Sequence, residues 1–151
     1  AHQRRTAKRV SRSRPNNESH GPPPAGAKEE AKQATWKTAK SVAAKDPAAI
    51  RGVLDERRPV VLSVLTFPSW DFGVTAETGE IAMPFPGETS DGGHAICLVG
   101  YERNAAVPGG GSFILRNSWG TSWAKPHGRF GAGYGTLSFE YVEKYGLEAF
   151  A

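Results

Sequence analysis

An α+β domain, built on a small open antiparallel β-barrel or strongly twisted sheet with one main helix packed on it, is the fold this sequence predicts. Three observations carry that expectation: a well-capped amphipathic segment, four apolar segments after it separated by long connections, and a high content of turn formers, 18 Gly and 11 Pro. The 151 residues, 38% hydrophobic and 23% charged, suffice for one compact domain with a loose end and are too few for two. No apolar run approaches the roughly 20 residues of a membrane span, and no apolar stretch follows the basic start to serve as a secretory signal. No membrane partner is expected. The single cysteine, Cys97, excludes a disulfide framework and a cysteine-based zinc cluster, and it leaves the compartment open.

The net charge of +4 is unevenly placed. Residues 1–14 hold six basic residues and no acid, so the remainder carries 13 basic against 15 acidic residues, a net −2. Such a tail can meet phosphates electrostatically, but no aromatic residue is interleaved to stack bases and no reader module follows. Nucleic acid is therefore a disfavoured partner. Residues 14–26 contain four prolines among Asn and Gly, and residues 1–26 are read together as a basic, Pro/Gly-rich tail and linker ahead of a domain spanning 27–151.

Within the domain, Ala27 to Gln33 reads as a short surface helical turn of good formers without an apolar face. Asp46-Pro47 is a strong helix start, an acceptor at the N-cap followed by proline in the first turn. That helix should run to about Arg57, with Ala49, Ile50, Val53 and Leu54 on one stripe. Pro59 to Phe67 is a β-branched run bounded by prolines and reads as a strand buried on both faces. Pro68 to Asp91 should be long loops with one short strand. His94 to Tyr101, Ser112 to Asn117 and Gly133 to Ser138 are the further strands, joined between the first two by a flexible Ala105 to Gly111 connection. Ser138 should cap a short helix that Gly146 ends.

Two polar residues stand out from this pattern. His94 opens an apolar strand behind Gly92-Gly93, and Asn117 closes the next one, immediately before Ser118-Trp119-Gly120. An antiparallel hairpin of these strands brings the two side chains together. The Asn carbonyl can then accept from one ring nitrogen and fix the tautomer, leaving the other nitrogen for proton transfer. Each residue alone also has an ordinary reading, a strand-end histidine and a turn asparagine; the pairing is what points to chemistry. Trp119 is large enough to cover the bond. Cys97, three positions beyond His94, should point to the opposite side of the strand and lie about 10 Å along it, a small core hydrophobe rather than a nucleophile. His2, His20 and His127 lack ligand-spaced neighbours, and Gly109-Gly110-Gly111 lacks the Lys-Ser/Thr of a phosphate loop, so neither a metal nor a cofactor is expected. Phe67, Trp70 and Phe72 read first as core or loop-anchoring aromatics.

Taken in order, Gly-Gly-His94-Ala-Ile-Cys-Leu-Val-Gly-Tyr101, Phe113-Ile-Leu-Arg-Asn117-Ser-Trp119-Gly-Thr-Ser-Trp123 and Gly133-Tyr-Gly-Thr-Leu resemble the C-terminal, barrel half of the papain-like cysteine peptidases, bacterial type, over about Pro22 to Phe150. The resemblance implies that His94 is the general base, Asn117 its orienting partner and Trp119 the shield of their hydrogen bond. It also makes Gly93 and Phe67 candidates for the substrate cleft, with a glycine before the histidine leaving room and imposing no charge preference. The family's nucleophile is a cysteine about 130–150 residues before the histidine. Here 93 residues precede His94 and none is cysteine, while Gln3 and Gln33 do not stand where an oxyanion-hole glutamine would. The implied function is the C-terminal portion of a cysteine peptidase acting on peptide or protein substrates. The alternative is an inactive papain-like module used in binding or assembly. The expected partner is a helical half carrying the cysteine on another polypeptide, or a second copy of this chain, because the face bearing His94 would otherwise leave apolar surface uncovered.

Overall fold

The computed structural model describes residues 25, 26, 29, 32, 38–71, 73–124 and 128–151. The chain divides into two units, residues 1–37 and 38–151. In the first unit, Ala25 and Gly26 form a turn, and Glu29 and Lys32 are helical; the rest of the expected tail and of the Ala27 to Gln33 turn lies outside the described residues. Phe72 and His127 lie outside them as well.

The second unit runs β1 (Ser41–Val42), α1 (Pro47–Asp55), β2 (Val60–Thr66), a 3-10 turn (Pro68–Trp70), α2 (Gly73–Thr78), β3 (Glu80–Ile81), β4 (Gly92–Arg103), a second 3-10 turn (Pro108–Gly110), β5 (Gly111–Arg116), β6 (Tyr134–Ser138), α3 (Phe139–Tyr145) and β7 (Gly146–Phe150). Among the described residues these strands make a seven-stranded sheet in the order β1-β7-β2-β4-β5-β6-β3. It stays open instead of closing into a barrel. Every pairing is antiparallel except β3 with β6, which is parallel, a departure from the all-antiparallel expectation.

The capping expectations hold in atomic detail. Asp46 Oδ1 accepts from the backbone N–H groups of Ala48 and Ala49 at 2.8 and 3.1 Å, with Pro47 in the first turn of α1. Ser138 Oγ accepts from Tyr141 N at 3.1 Å at the start of α3, and Lys144 pairs with Glu140 one turn away.

Alternation along the strands decides where the core sits. Val60, Leu62 and Val64 of β2, Ile96 and Leu98 of β4, Phe113 and Leu115 of β5 and Leu137 of β6 are buried on one face, together with Ile50 of α1 and Phe139, Tyr141 and Val142 of α3. The opposite face is open: Val61, Ser63 and Cys97 are half-buried, Ala95 is exposed, and Val99 and Phe150 are 45% and 40% exposed. Strand β2 is therefore not buried on both faces as its continuous apolar run suggested, because helices cover one side only. Cys97 likewise stands on the open face and not in the core.

Three further differences from the sequence reading have local causes. The stretch from Pro68 to Asp91 holds a helix, α2, as well as the short strand; it ends at Gly79, whose φ of 74° suits glycine. Strand β7 follows α3 without a turn, so no Gly/Pro cluster announces it. Gly146 makes that junction possible, since a Cβ there would collide with the Ala44 and Val142 carbonyl oxygens. Phe67, a cleft candidate, is only 6% exposed and packs edge-on against Tyr141 and Tyr145, with ring centroids 6.3 and 5.0 Å away. It packs in the core and leaves little surface for a substrate.

Leu62 sits at the centre of the covered face, fully buried between strands β4 and β7. Leu62→Ala should destabilise the domain by about 2–5 kcal/mol, whereas Val99→Ala on the open face should change stability by less than about 1 kcal/mol. Urea denaturation followed by circular dichroism checks both.

Candidate active site

Strands β4 and β5 pair antiparallel with Leu98 opposite Leu115 and Cys97 opposite Arg116, so the start of β4 lies beside the chain that leaves β5. Asn117 is the first residue past β5, where its own backbone N–H donates to the Gly133 carbonyl at 2.8 Å. That bond fixes the point from which its side chain projects. The outcome is a 2.8 Å hydrogen bond between His94 Nε2 and Asn117 Oδ1.

The donor and acceptor roles follow from a second contact. Ser118 N–H lies 2.8 Å from the same Asn117 oxygen, and a backbone N–H can only donate. The oxygen is thus the acceptor for both, His94 donates from Nε2, and in the neutral imidazole Nδ1 keeps its lone pair; Nδ1 has no hydrogen-bond partner among the described residues. Asn117 is 7% exposed and its Nδ2 has no partner among those residues.

Aromatic rings enclose the imidazole. The Trp119 ring lies 5.0 Å from that of His94 with the planes 31° apart, and Trp70 meets His94 edge to face at 6.2 Å and 88°. Trp70 also contacts Trp119 at 6.1 Å and is almost fully buried. Its indole Nε1–H donates to the Tyr141 hydroxyl at 2.8 Å, which in turn donates to the Leu65 carbonyl at 2.9 Å. Burial pushes the Tyr141 hydroxyl well above its usual range, so it remains a donor throughout ordinary pH. Nothing in the sequence flagged this link. Trp70 sits in a Pro-Ser-Trp segment without periodicity, and Tyr141 reads only as a helix residue.

Glu88 secures the same segment from the other side. Its carboxylate accepts from Ser69 N at 2.7 Å and from Phe85 N at 2.8 Å. Desolvation pushes its carboxyl up, but the N–H groups of Phe85 and Ser69 outweigh this and hold it below the usual carboxylate range. The clamp is therefore complete above that range and is lost as pH falls through the lowered value.

Two open cavities border the His94–Asn117 pair. One, of about 510 Å³, is lined by Ser63, Gly93, His94, Ala95, Leu147 and Glu148. The other, of about 470 Å³, runs along the open face past Val61, Cys97, Arg116 and Asn117. Gly93 thus stands beside the imidazole. Cys97 lies on the face of β4 opposite to that of Ile96 and Leu98, three positions from His94 and about 10 Å along the strand. Among the described residues, no group of three or more His, Cys, Asp or Glu side chains could hold a metal, and no helix is long and apolar enough to cross a membrane.

Tyr141→Phe leaves the buried Trp70 indole N–H without its acceptor. The substitution should cost about 1–3 kcal/mol, read as a lowered urea midpoint with an unchanged slope.

Comparison with known proteins gives one consistent result. The family described as "Papain family cysteine protease" matches residues 6–148, beginning upstream of Pro22, where the resemblance read from the sequence starts. An uncharacterized peptidase C1-like protein of Acanthamoeba polyphaga mimivirus is 33% identical over 84 residues, which are 56% of this chain and 24% of that protein. Among solved structures, xylellain, a cysteine protease from Xylella fastidiosa, superposes with a TM-score of 0.63 at 23% identity, covering 81% of this chain and 41% of its own. Digestive procathepsin L 3 of the Tenebrio molitor larval midgut gives 0.55 at 19% identity, covering 76% of this chain and 34% of its own. The chain spans less than half the length of each of these proteins. The structural likenesses show a shared fold, and with a family match over nearly the whole sequence the chain belongs to the papain family of cysteine peptidases.

Proposed function

We propose that this chain is the C-terminal portion of a papain-type peptidase and supplies its histidine and asparagine, while the nucleophilic thiolate comes from sequence outside these 151 residues. The hydrogen bond from His94 Nε2 to Asn117 Oδ1 carries the reading, because it leaves Nδ1 as a base of fixed orientation. The position of Cys97 supports the second half. A strand residue three places on faces away from the imidazole and cannot share a proton with it.

In this reading Nδ1 takes the proton of a cysteine thiol on an adjoining helical half and forms an imidazolium–thiolate pair. The thiolate sulfur attacks the peptide carbonyl, the C–N bond breaks as the imidazolium gives its proton to the leaving amine, and an acyl-enzyme remains. Water, losing its proton to Nδ1, attacks the thioester and releases the acid and the thiol. Asn117 keeps the ring plane constant through both proton transfers, and Trp119 covers the bond between them against water. Gly93 leaves the approach to the imidazole unobstructed. The cysteine-bearing half, whether it lies on the same polypeptide, on another, or on a second copy, would dock at the end of the sheet where Gly93 and His94 stand, beside the cavity that borders the imidazole.

A second reading is a papain-type module that binds or assembles without cleaving. It is favoured by one observation: the chain's single cysteine stands on the wrong face of β4. One comparison separates the two. In the assembled protein containing a cysteine-bearing helical half, His94→Ala should lower peptide hydrolysis by about 10²–10⁴-fold, while Cys97→Ser should leave it within about twofold. Undiminished cleavage by His94→Ala contradicts the assignment, and complete loss with Cys97→Ser would move the nucleophile into this chain.

A further inference from the structure

One hydrogen bond fixes a point on the imidazole and not its plane. The contact between His94 Nε2 and Asn117 Oδ1 leaves the ring free to rock about that point, and Gly92 and Gly93 before it on β4 have no side chains to stop the motion. The second constraint is aromatic, with Trp119 lying 31° from the imidazole plane and Trp70 meeting it at 88°. Trp70 is itself held at both ends. At the ring end, its indole Nε1–H donates to the Tyr141 hydroxyl at 2.8 Å. At the backbone end stands Glu88, whose Oε1 accepts from Ser69 N at 2.7 Å and whose Oε2 accepts from Phe85 N at 2.8 Å. Both carboxylate oxygens are used to tie the turn that carries Trp70 to the loop that leads into β4. Three residues on, Asp91 makes a similar tie at the end of β2, accepting from Thr66 Oγ1 at 2.9 Å. No cation competes for the Glu88 carboxylate: residues 59–102 hold six acids and neither Lys nor Arg, and Glu88 forms no ion pair among the described residues.

We propose that Glu88 is a positioning residue for the histidine: its two bonds hold Trp70 against the imidazole, and Trp70 keeps Nδ1 aimed. This deepens the peptidase reading and rests on it for the catalytic consequence. Hydrogen bonds from backbone N–H groups to a carboxylate are roughly twice as strong as those to a neutral acceptor. Ser69 is 4% exposed, so little water is at hand to replace a lost acceptor. An amide in place of the carboxylate offers one acceptor oxygen to two backbone donors and sets its own NH₂ against the second. Ser69 or Phe85 then loses its partner, the Pro68–Trp70 turn relaxes, and the indole pivots on its Tyr141 anchor away from the imidazole. Glu88 touches neither substrate nor reacting atoms in this scheme; it acts through Trp70 alone.

The test is NMR of the full 151-residue chain, labelled with ¹⁵N at histidine and held at about pH 8, where an ordinary imidazole is neutral. Wild type is compared with Glu88→Gln, Glu88→Ala and, as a control, Glu77→Gln, which removes the same charge from an exposed position of α2. In wild type the His94 ring protons should show through-space contact to the Trp70 indole. In both Glu88 variants that contact should fall by about half or more, and the Nε2 hydrogen should exchange about three- to tenfold faster. Circular dichroism should stay that of the folded chain, and Glu77→Gln should match wild type. A residue that only stabilises the fold would lower the urea midpoint and leave these ring signals unmoved. Unmoved signals, the same change in Glu77→Gln, or loss of the fold in both Glu88 variants overturns the proposal. In the assembled peptidase the Glu88 variants should lower kcat about three- to tenfold with KM held within about twofold, and an unchanged kcat overturns it as well. The ring signals need no thiolate, so failure of the positioning and failure of the His94→Ala comparison are distinguished.

Discussion

The antiparallel pairing of Gly92–Arg103 with Gly111–Arg116 is the constraint from which both the core and the site follow. Its register puts Leu98 and Leu115 side by side in the core and, by the same count, brings the start of one strand next to the residue that follows the other. A slip of one residue would turn every apolar side chain to the open face and carry His94 away from Asn117. Stability and site geometry are therefore not independent: the burial that fixes the register also sets the 2.8 Å contact. The bulge between Leu98 and Gly100 lets the strand bend beyond that point while the first residues keep their alternation.

Around the hydrogen bond, the aromatic residues restrict both water and movement. Trp119 and Trp70 come from segments far apart in sequence, and each contacts the imidazole from its own side. Trp70 is in turn held by Tyr141 of α3, and the turn that carries it is tied by Glu88. Helix α3 thus has two tasks: its apolar residues complete the core, and its tyrosine hydroxyl sets the indole that flanks His94. A polar pair surrounded by rings is stronger than the same pair in water, which favours one fixed imidazole orientation over several.

What could be read from the sequence divides along physical lines. Asp46-Pro47 and Ser138 announce their helices because a cap is a local interaction between neighbours, and His94 and Asn117 become a pair as soon as two adjacent apolar strands are allowed to form a hairpin. The rest depends on contacts between distant segments. Nothing local distinguishes Trp70 as a neighbour of His94 or Tyr141 as its support, since their meeting requires α3 to fold back over the sheet. The β7 strand carries no local signal because it begins directly at Gly146, where α3 ends, and the next two residues, Leu147 and Glu148, are exposed. Phe67 has a related ambiguity: an aromatic at a strand end reads alike whether it lines a cleft or, as here, meets Tyr145. The continuous run of β2 suggested burial on both faces, but only alternation in the folded sheet reveals that Val61 and Ser63 face the open side.

The account stands on the imidazole of His94 being held by Asn117 with Nδ1 bare. Long-range ¹H–¹⁵N NMR of the full chain, labelled at histidine and held at alkaline pH, reads both ring nitrogens directly. The account predicts for His94 a protonated Nε2 whose hydrogen exchanges slowly with water and shows through-space contact to Asn117 and Ser118, beside an unprotonated Nδ1. A proton on Nδ1, or an Nε2 hydrogen that exchanges as freely as that of a solvent-exposed imidazole, would contradict it.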